Sequence, residues 1–168
     1  MRILHLFGIF WLSISLSAYL PVLNKGSITH PEVGLEGMVV TQHYLASEVG
    51  KEILNKGGNA YDATIAVAFA LAVVLPRAGN IGGGGFTVLY NSSDESFQSL
   101  DYREKAPLAA SKNMYLDKNG DVISNLSTLG YKAIAVPGTV DGMWELHKRY
   151  GSMDWKELIL PSIKLAKE

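Results

Sequence analysis

Four consecutive glycines at residues 82–85 restrict the folds open to this chain more than any other part of the sequence. Before them, residues 60–75 are apolar nearly throughout, a pattern that is typical of a buried helix of roughly four turns. After them, residues 86–90 and 97–102 are predicted to be strands that pair antiparallel across a polar turn. The sequence therefore predicts a helix, a glycine loop and a hairpin, in that order.

This order excludes two common nucleotide-binding loops. A dinucleotide-binding loop follows a strand and opens a helix, which is the reverse of the order predicted here. A Walker loop needs a lysine and then Ser or Thr after its last glycine, because the lysine neutralises phosphate charge, whereas Phe86 and Thr87 follow here. We interpret the glycines as a tight turn packed against the buried helix, with a nest of N–H groups that faces an anion as the alternative.

The rest of the chain contains patterns of both helix and strand. Asn59 is a suitable N-cap for the helix at 60–75, Asp62 occupies its third position, and Pro76 ends it. The other predicted elements are a short strand at residues 37–40, helices at 45–56 and 140–150, a short strand or extended segment at 132–136, and a helix capped by Asp154.

The N-terminal segment, residues 1–18, has the layout of a secretory signal peptide. Arg2 supplies a positive end, residues 3–16 are almost wholly apolar, and small residues at 15–18 offer a cleavage site. An uncleaved membrane anchor is the alternative, although serines and a histidine dilute an apolar run that should reach about 20 residues to span a bilayer. We expect export to the periplasm or beyond the cell, with residues 19–36 acting as a linker.

Composition excludes several classes of function. The 15 Lys and Arg residues against 16 Asp and Glu leave a net charge of −1, which lacks the basic excess of a nucleic-acid binder. The chain contains no cysteine, and this absence excludes disulfides, thiolate metal sites and a cysteine nucleophile. Its four histidines are scattered with none at ligand spacing, so we expect no metal site.

Arg103 is the candidate binding residue that the local pattern indicates. It stands at the end of the second predicted strand, and strand ends hold side chains rigidly at the rim of a cleft. The planar guanidinium matches a carboxylate in bidentate geometry. The alternative is a plain surface ion pair between Arg103 and Asp101 or Glu104.

Four sequence blocks together resemble the gamma-glutamyltranspeptidase family. They are Gly-Gly-Asn-Ala-x-Asp-Ala at 57–63, Ala-Gly-Asn-Ile-Gly-Gly-Gly-Gly-Phe at 78–86, Asp-Tyr-Arg-Glu-Lys-Ala-Pro at 101–107, and Val-Pro-Gly-Thr-Val-x-Gly at 136–142. Four blocks in the same order and spacing are far more specific than one glycine loop. The resemblance covers residues 37–168 and is to the N-terminal portion of the family's large subunit. We therefore expect a C-terminally truncated piece. The helical pattern at 162–168, which runs to the last residue without a cap, indicates the same.

The resemblance implies an α+β fold, the αββα sandwich of N-terminal-nucleophile hydrolases, only partly represented in this chain. It also implies a precursor that cleaves itself and frees the N-terminal threonine of a small subunit as the nucleophile. The reaction would transfer a γ-glutamyl group from glutathione or a related donor to water, an amino acid or a dipeptide through an acyl-enzyme. Neither a metal nor an organic cofactor is required.

The family pattern also assigns two candidate site residues. Arg103 matches the family arginine that holds the α-carboxylate of the γ-glutamyl substrate, and Glu104 follows it as a second candidate that braces the pocket. Residues 82–85 match a structural turn and receive no catalytic role. The nucleophile, the oxyanion donors and the groups that bind the substrate amine belong to the part of the family that this chain lacks. No catalytic residue is therefore assigned here.

Two other functions remain open from the sequence. One is a related exported acylase of the same fold, of the cephalosporin type, which the block at 101–107 disfavours without excluding. The other is a non-catalytic secreted binding module that is complete at 168 residues. A reading frame that continues to a threonine processing site would favour the enzyme, whereas a stop codon after Glu168 would favour the binding module.

Overall fold

Four helices, a hairpin and a short 3₁₀ turn make up the part of the chain that the computed structural model describes, residues 33–168. In chain order they are α1 (Tyr44–Asn55), α2 (Ala60–Val74), β1 (Phe86–Asn91), β2 (Ser96–Asp101), the 3₁₀ turn (Tyr131–Ala133), α3 (Thr139–Tyr150) and α4 (Trp155–Leu165). The predicted signal peptide at 1–18 and most of the predicted linker at 19–36 lie outside the described residues. Within the described range, every helix is too short or too polar to cross a bilayer.

Helix α2 is the centre of the packing, since α1, α3 and α4 all contact it. Its start forms as predicted: the Asn59 side chain accepts the N–H groups of Tyr61 and Asp62, and the Asp62 carboxylate accepts the Asn59 N–H at 3.0 Å. The apolar core combines buried residues of all four helices with Leu89 of β1. These residues are Ala46, Val49, Ile53, Ala63, Ile65, Ala66, Phe69, Ala70, Leu89, Met143, Leu146 and Leu158.

Helix α2 is largely buried, as the sequence predicts, and only Ala60 and Thr64 within it are exposed. Ile65, Ala66 and Ala70 are fully buried, but Val67 and Leu71 are only partly buried. Both half-buried residues pack against the core, and Gly50 and Gly79 approach Val67 and Leu71, respectively.

The hairpin forms with the predicted antiparallel pairing, from Phe86 opposite Asp101 to Asn91 opposite Ser96. Its inner face packs on the core through Leu89, which is 8% exposed. Its outer face is also apolar, yet it is exposed. That face presents Phe86, Val88, Tyr90 and Phe97, whose exposed fractions run from 51% to 77%.

The strand predicted at residues 37–40 is wrong, whereas the short strand or extended segment predicted at 132–136 is correct only in its last residues, with Ile134 extended and Val136 in a bridge. Residues 37–40 are not in a strand, because no described strand lies beside them to exchange backbone hydrogen bonds. The segment at 132–136 begins in the 3₁₀ turn, and only its last residue, Val136, forms a bridge, to Lys105. Helices α1, α3 and α4 begin within one residue of the predicted starts, and α4 continues through Pro161.

A buried carboxylate joins the start of α2 to the turn between α3 and α4. Asp62 is fully buried and accepts hydrogen bonds from the Ser152 hydroxyl and the N–H groups of Ser152 and Met153, besides that of Asn59. Burial raises the pKa of Asp62, but these four groups together favour the ionised form and leave its pKa below the usual value. Asp62 is therefore a structural carboxylate.

Candidate functional site

Arg103 lies two residues beyond β2, in a segment that runs beside the glycine loop and the start of α3. The backbone of this segment is fixed at several points. The Tyr102 N–H donates to the Gly85 carbonyl at 3.1 Å, and the Arg103 N–H donates to the Asp101 carboxylate at 3.0 Å. Lys105 then exchanges two backbone hydrogen bonds with Val136, of 3.1 and 2.8 Å.

Two glycines allow this segment to approach its neighbours closely. A Cβ atom at Gly138 would lie 1.9 Å from the Tyr102 carbonyl oxygen, and one at Gly84 would lie 2.6 Å from the same oxygen. The Gly83 carbonyl accepts the N–H groups of Gly138 and Thr139, at 2.8 and 3.1 Å. The glycine loop, the Arg103 segment and the start of α3 therefore form one tightly packed unit.

The glycine loop is a tight turn, as interpreted from the sequence, but its main neighbour is different. We expected residues 82–85 to pack against the buried helix. Instead, Gly84 and Gly85 approach residues 102–104, and it is Gly79 that lies against α2, where an added Cβ atom would stand 2.9 Å from the Leu71 Cβ. The local pattern of glycines gives no information about which distant segment they contact.

The side chain of Arg103 is exposed although its backbone is fixed. It is 70% exposed, and its nearest carboxylate is that of Glu104, with 3.8 Å between Arg103 Nε and Glu104 Oε2. Asp101 accepts the backbone N–H of Arg103 and forms no ion pair with its guanidinium. An exposed ion pair at this distance contributes about 0–1 kcal/mol, so a ligand carboxylate could replace it at little cost.

The structure brings both sequence-predicted site residues together on an open surface. A groove of about 930 Å³ lies elsewhere, between α1 and α4, and neither Arg103 nor Glu104 lines it. In the described range, no three His, Asp or Glu side chains converge in a way that could hold a metal ion. An exposed guanidinium in this arrangement can bind a ligand carboxylate.

Sequence reasoning missed the supports of this site, which are Tyr102, Gly138 and Gly142. Gly142 was the one with a detectable signal, because a glycine in a helix interior costs about 1 kcal/mol relative to alanine and so indicates a close approach. A Cβ atom at Gly142 would lie 2.2 Å from Tyr102 Cγ. Gly138 could not be distinguished from an ordinary Pro-Gly turn.

Comparison with known proteins agrees with the resemblance of the four blocks. A family model described as gamma-glutamyltranspeptidase matches residues 46–168. The glutathione hydrolase proenzyme of Pseudomonas sp. (strain A14) is 53% identical over 146 residues, which are 86% of this chain and 25% of that protein. The crystal structure of Helicobacter pylori gamma-glutamyltranspeptidase matches with a TM-score of 0.76 at 52% identity, over 82% of this chain and 39% of that one.

A more distant solved structure bears on the acylase alternative. The cephalosporin acylase from Bacillus halodurans matches with a TM-score of 0.64 at 25% identity, over 86% of this chain and 28% of that one. This identity is about half of that to the Helicobacter pylori enzyme, so the acylase alternative is not favoured. The match to the family model and to glutathione hydrolase proenzymes does not favour the binding module either. The matches confirm the predicted α+β, N-terminal-nucleophile hydrolase fold, represented here in part. The chain spans about a quarter of the length of the curated relatives it matches.

Proposed function

Because the chain belongs to the gamma-glutamyltranspeptidase family, we propose that residues 37–168 are the N-terminal portion of the large subunit of a γ-glutamyl-transferring enzyme. The whole enzyme takes glutathione or another γ-glutamyl donor and passes the γ-glutamyl group to water, an amino acid or a dipeptide. The relatives named glutathione hydrolase proenzyme support this assignment.

The bond-breaking step belongs to another part of the same precursor. A threonine freed at the N-terminus of the small subunit attacks the γ-carbonyl of the donor, and the amine of that threonine serves as the base. The donor's amine leaves, and the acceptor then takes the γ-glutamyl group from the threonyl ester. Without that subunit, we expect residues 37–168 alone to be inactive.

Arg103 is the substrate anchor that this segment contributes, and an exposed guanidinium on a fixed backbone is the observation that carries the proposal. Its exposed fork is suited to the α-carboxylate of the γ-glutamyl group, which distinguishes this group from a simple acyl chain. Glu104 braces the guanidinium from one side at 3.8 Å. Neither residue takes part in bond breaking, and no metal or organic cofactor enters the scheme.

We also propose that the enzyme acts outside the cytoplasm. Residues 1–18 carry the signal-peptide pattern that directs export, either to the periplasm or to the cell exterior, and retention as a membrane anchor is the alternative. The remainder of the large subunit and the small subunit are the partners that complete the enzyme.

The test is donor kinetics of Arg103 variants in the full-length precursor. Removing one partner of a buried charge pair typically costs about 2–5 kcal/mol, so Arg103→Ala should lower kcat/KM roughly 30- to 5,000-fold. Arg103→Lys should recover only part of this loss, because the ammonium keeps the charge but loses the planar fork.

Arg77→Ala is the matched control, since Arg77 is an exposed arginine in the turn after α2 and has no place in the site. Self-cleavage should survive in all three variants, because processing involves no free substrate carboxylate, and a gel confirms it. A near-normal kcat/KM in processed Arg103→Ala would contradict the anchor and favour the interpretation of Arg103 as part of a surface ion pair.

A further inference from the structure

Tyr102 precedes the proposed anchor, and its side chain is partly buried where that of Arg103 is exposed. Its ring packs against the core beside α3 and the glycine loop. A Cβ atom added at Gly142 would lie 2.2 Å from Tyr102 Cγ, and one added at Gly85 would lie 3.1 Å from the Tyr102 hydroxyl oxygen. The Thr87 hydroxyl donates a hydrogen bond to the same oxygen at 3.2 Å. The ring therefore occupies a niche that exists only because two neighbours lack side chains.

The space for the Tyr102 ring lowers the stability of α3. Gly142 lies inside α3, where glycine is about 1 kcal/mol less favourable than alanine. The missing side chain gives room to the ring of Tyr102, and α3 thereby approaches the Arg103 segment directly. Gly142 thus lowers the stability of the helix but allows its contact with Tyr102.

Seating the Tyr102 ring also fixes the backbone from which Arg103 projects. A Cβ atom at Gly138 would lie 1.9 Å from the Tyr102 carbonyl oxygen, and one at Gly84 would lie 2.9 Å from the Arg103 carbonyl carbon. The guanidinium itself is 70% exposed and contacts only Glu104, at 3.8 Å, among charged groups of the described residues. Its placement thus depends on the backbone and on Tyr102 more than on its own contacts.

We propose that Tyr102 is a positioning residue, which acts through Arg103 to set the enzyme's selectivity for donors that carry an α-carboxylate. This inference rests on the proposed function and adds to it a residue that touches neither substrate nor reacting atoms. Tyr102 seated on Gly142 determines where the guanidinium stands, and Arg103 in turn determines which donor is accepted.

The experiment is a double-mutant cycle in the full-length enzyme with Tyr102→Leu, Arg103→Ala and the pair, measured with a γ-glutamyl donor. A displacement of about 1 Å can cost up to roughly 100-fold, so Tyr102→Leu should raise KM by about 10- to 100-fold with a smaller change in kcat. Tyr102→Phe, which keeps the ring, should recover most of this loss. In the Arg103→Ala background, Tyr102→Leu should have no further effect, because coupled residues are not additive.

Tyr44→Leu is the matched control, because Tyr44 is 73% exposed at the start of α1 and remote in sequence from the site. Should Tyr102→Leu fail to mature, Gly142→Ala provides the same test, because its methyl group displaces the ring while favouring the helix.

The outcomes separate the inference from the proposed function. The positioning role would be overturned if the losses of kcat/KM in the two single variants multiplied in the double variant, or if KM were unchanged in Tyr102→Leu. An impaired Arg103→Ala would in that case still support Arg103 as the anchor. A normal kcat/KM in Arg103→Ala would overturn the anchor and the inference together.

Discussion

At the residue scale, the proposed site is an exposed side chain on a fixed backbone. Arg103 is anchored through its own N–H, through that of Tyr102 and through the Lys105 bridge, while its guanidinium faces solvent. Rigid scaffolding lowers the entropy lost when a substrate is bound, and an exposed guanidinium keeps five N–H donors ready for a carboxylate. Glu104 is close enough to orient this group and too weakly paired to block it.

Asp62 is the other residue whose chemistry leads to a prediction, because it is ionised, buried and fully hydrogen-bonded. In Asp62→Asn, an amide NH₂ group replaces a carboxylate oxygen that accepts hydrogen bonds. This NH₂ group would then lie against the backbone N–H groups that now donate to that oxygen. We expect a loss of about 1.5–3 kcal/mol in the free energy of unfolding at pH 7, measured by urea titration.

The same substitution should change the acid sensitivity of the protein. The pKa of Asp62 is lower in the folded state than its unfolded value of about 3.9, so its contribution is fully present above that value. The contribution is lost as the pH falls through the lowered folded pKa. The stability difference between wild type and Asp62→Asn should therefore shrink towards pH 2. Asp121→Asn, at an exposed turn, is the control, and an equal difference at pH 7 and pH 2 would contradict this account.

At the element scale, the site forms where the glycine loop, the end of β2 and the start of α3 meet. The Gly83 carbonyl accepts hydrogen bonds from two N–H groups at the start of α3. Gly138 lies so close to the Tyr102 carbonyl that a Cβ atom would not fit between them. The hairpin uses only one of its two apolar faces in this packing. Its outer face is the feature that the described elements leave unused.

The outer face of the hairpin predicts that Phe97→Ala has different effects in isolated residues 37–168 and in the full-length enzyme. Phe97 is 76% exposed, so in isolated residues 37–168 we expect Phe97→Ala to be tolerated and to reduce binding of an apolar dye. In the full-length enzyme, where we expect this face to be covered, the same change should cost about 3–5 kcal/mol. Leu89→Ala, on the buried inner face, should destabilise both forms. Tolerance of Phe97→Ala in both forms would show that nothing covers this face.

The sequence predicted most elements here and few of their contacts. Caps and periodicity are local signals, so Asn59, Asp154 and the hairpin turn identified three element boundaries correctly. The strand expected at 37–40 failed because a strand depends on a partner, which local pattern does not supply. The close approach of Gly138 to Tyr102 links positions 36 residues apart, and no periodicity encodes such a contact.

At the scale of the whole molecule, the proposed function divides the site between residues 37–168 and other parts of the enzyme. The chain spans about a quarter of its curated relatives, and its proposed anchor lies on an open surface in the described structure. Under the proposed function, recognition of the donor and attack on its γ-carbonyl belong to different segments of one precursor. Such a division makes carboxylate recognition separable from chemistry by mutation.

The most direct measurement compares two donors in wild type and Arg103→Ala, a γ-glutamyl anilide and the matching 4-aminobutyryl anilide, which lacks only the α-carboxylate. If Arg103 binds that carboxylate, wild type should prefer the γ-glutamyl donor by roughly 30-fold or more in kcat/KM. In Arg103→Ala this preference should fall to near one, through loss of activity on the γ-glutamyl donor alone. An equal preference in both enzymes would contradict the central claim that this segment supplies the carboxylate anchor.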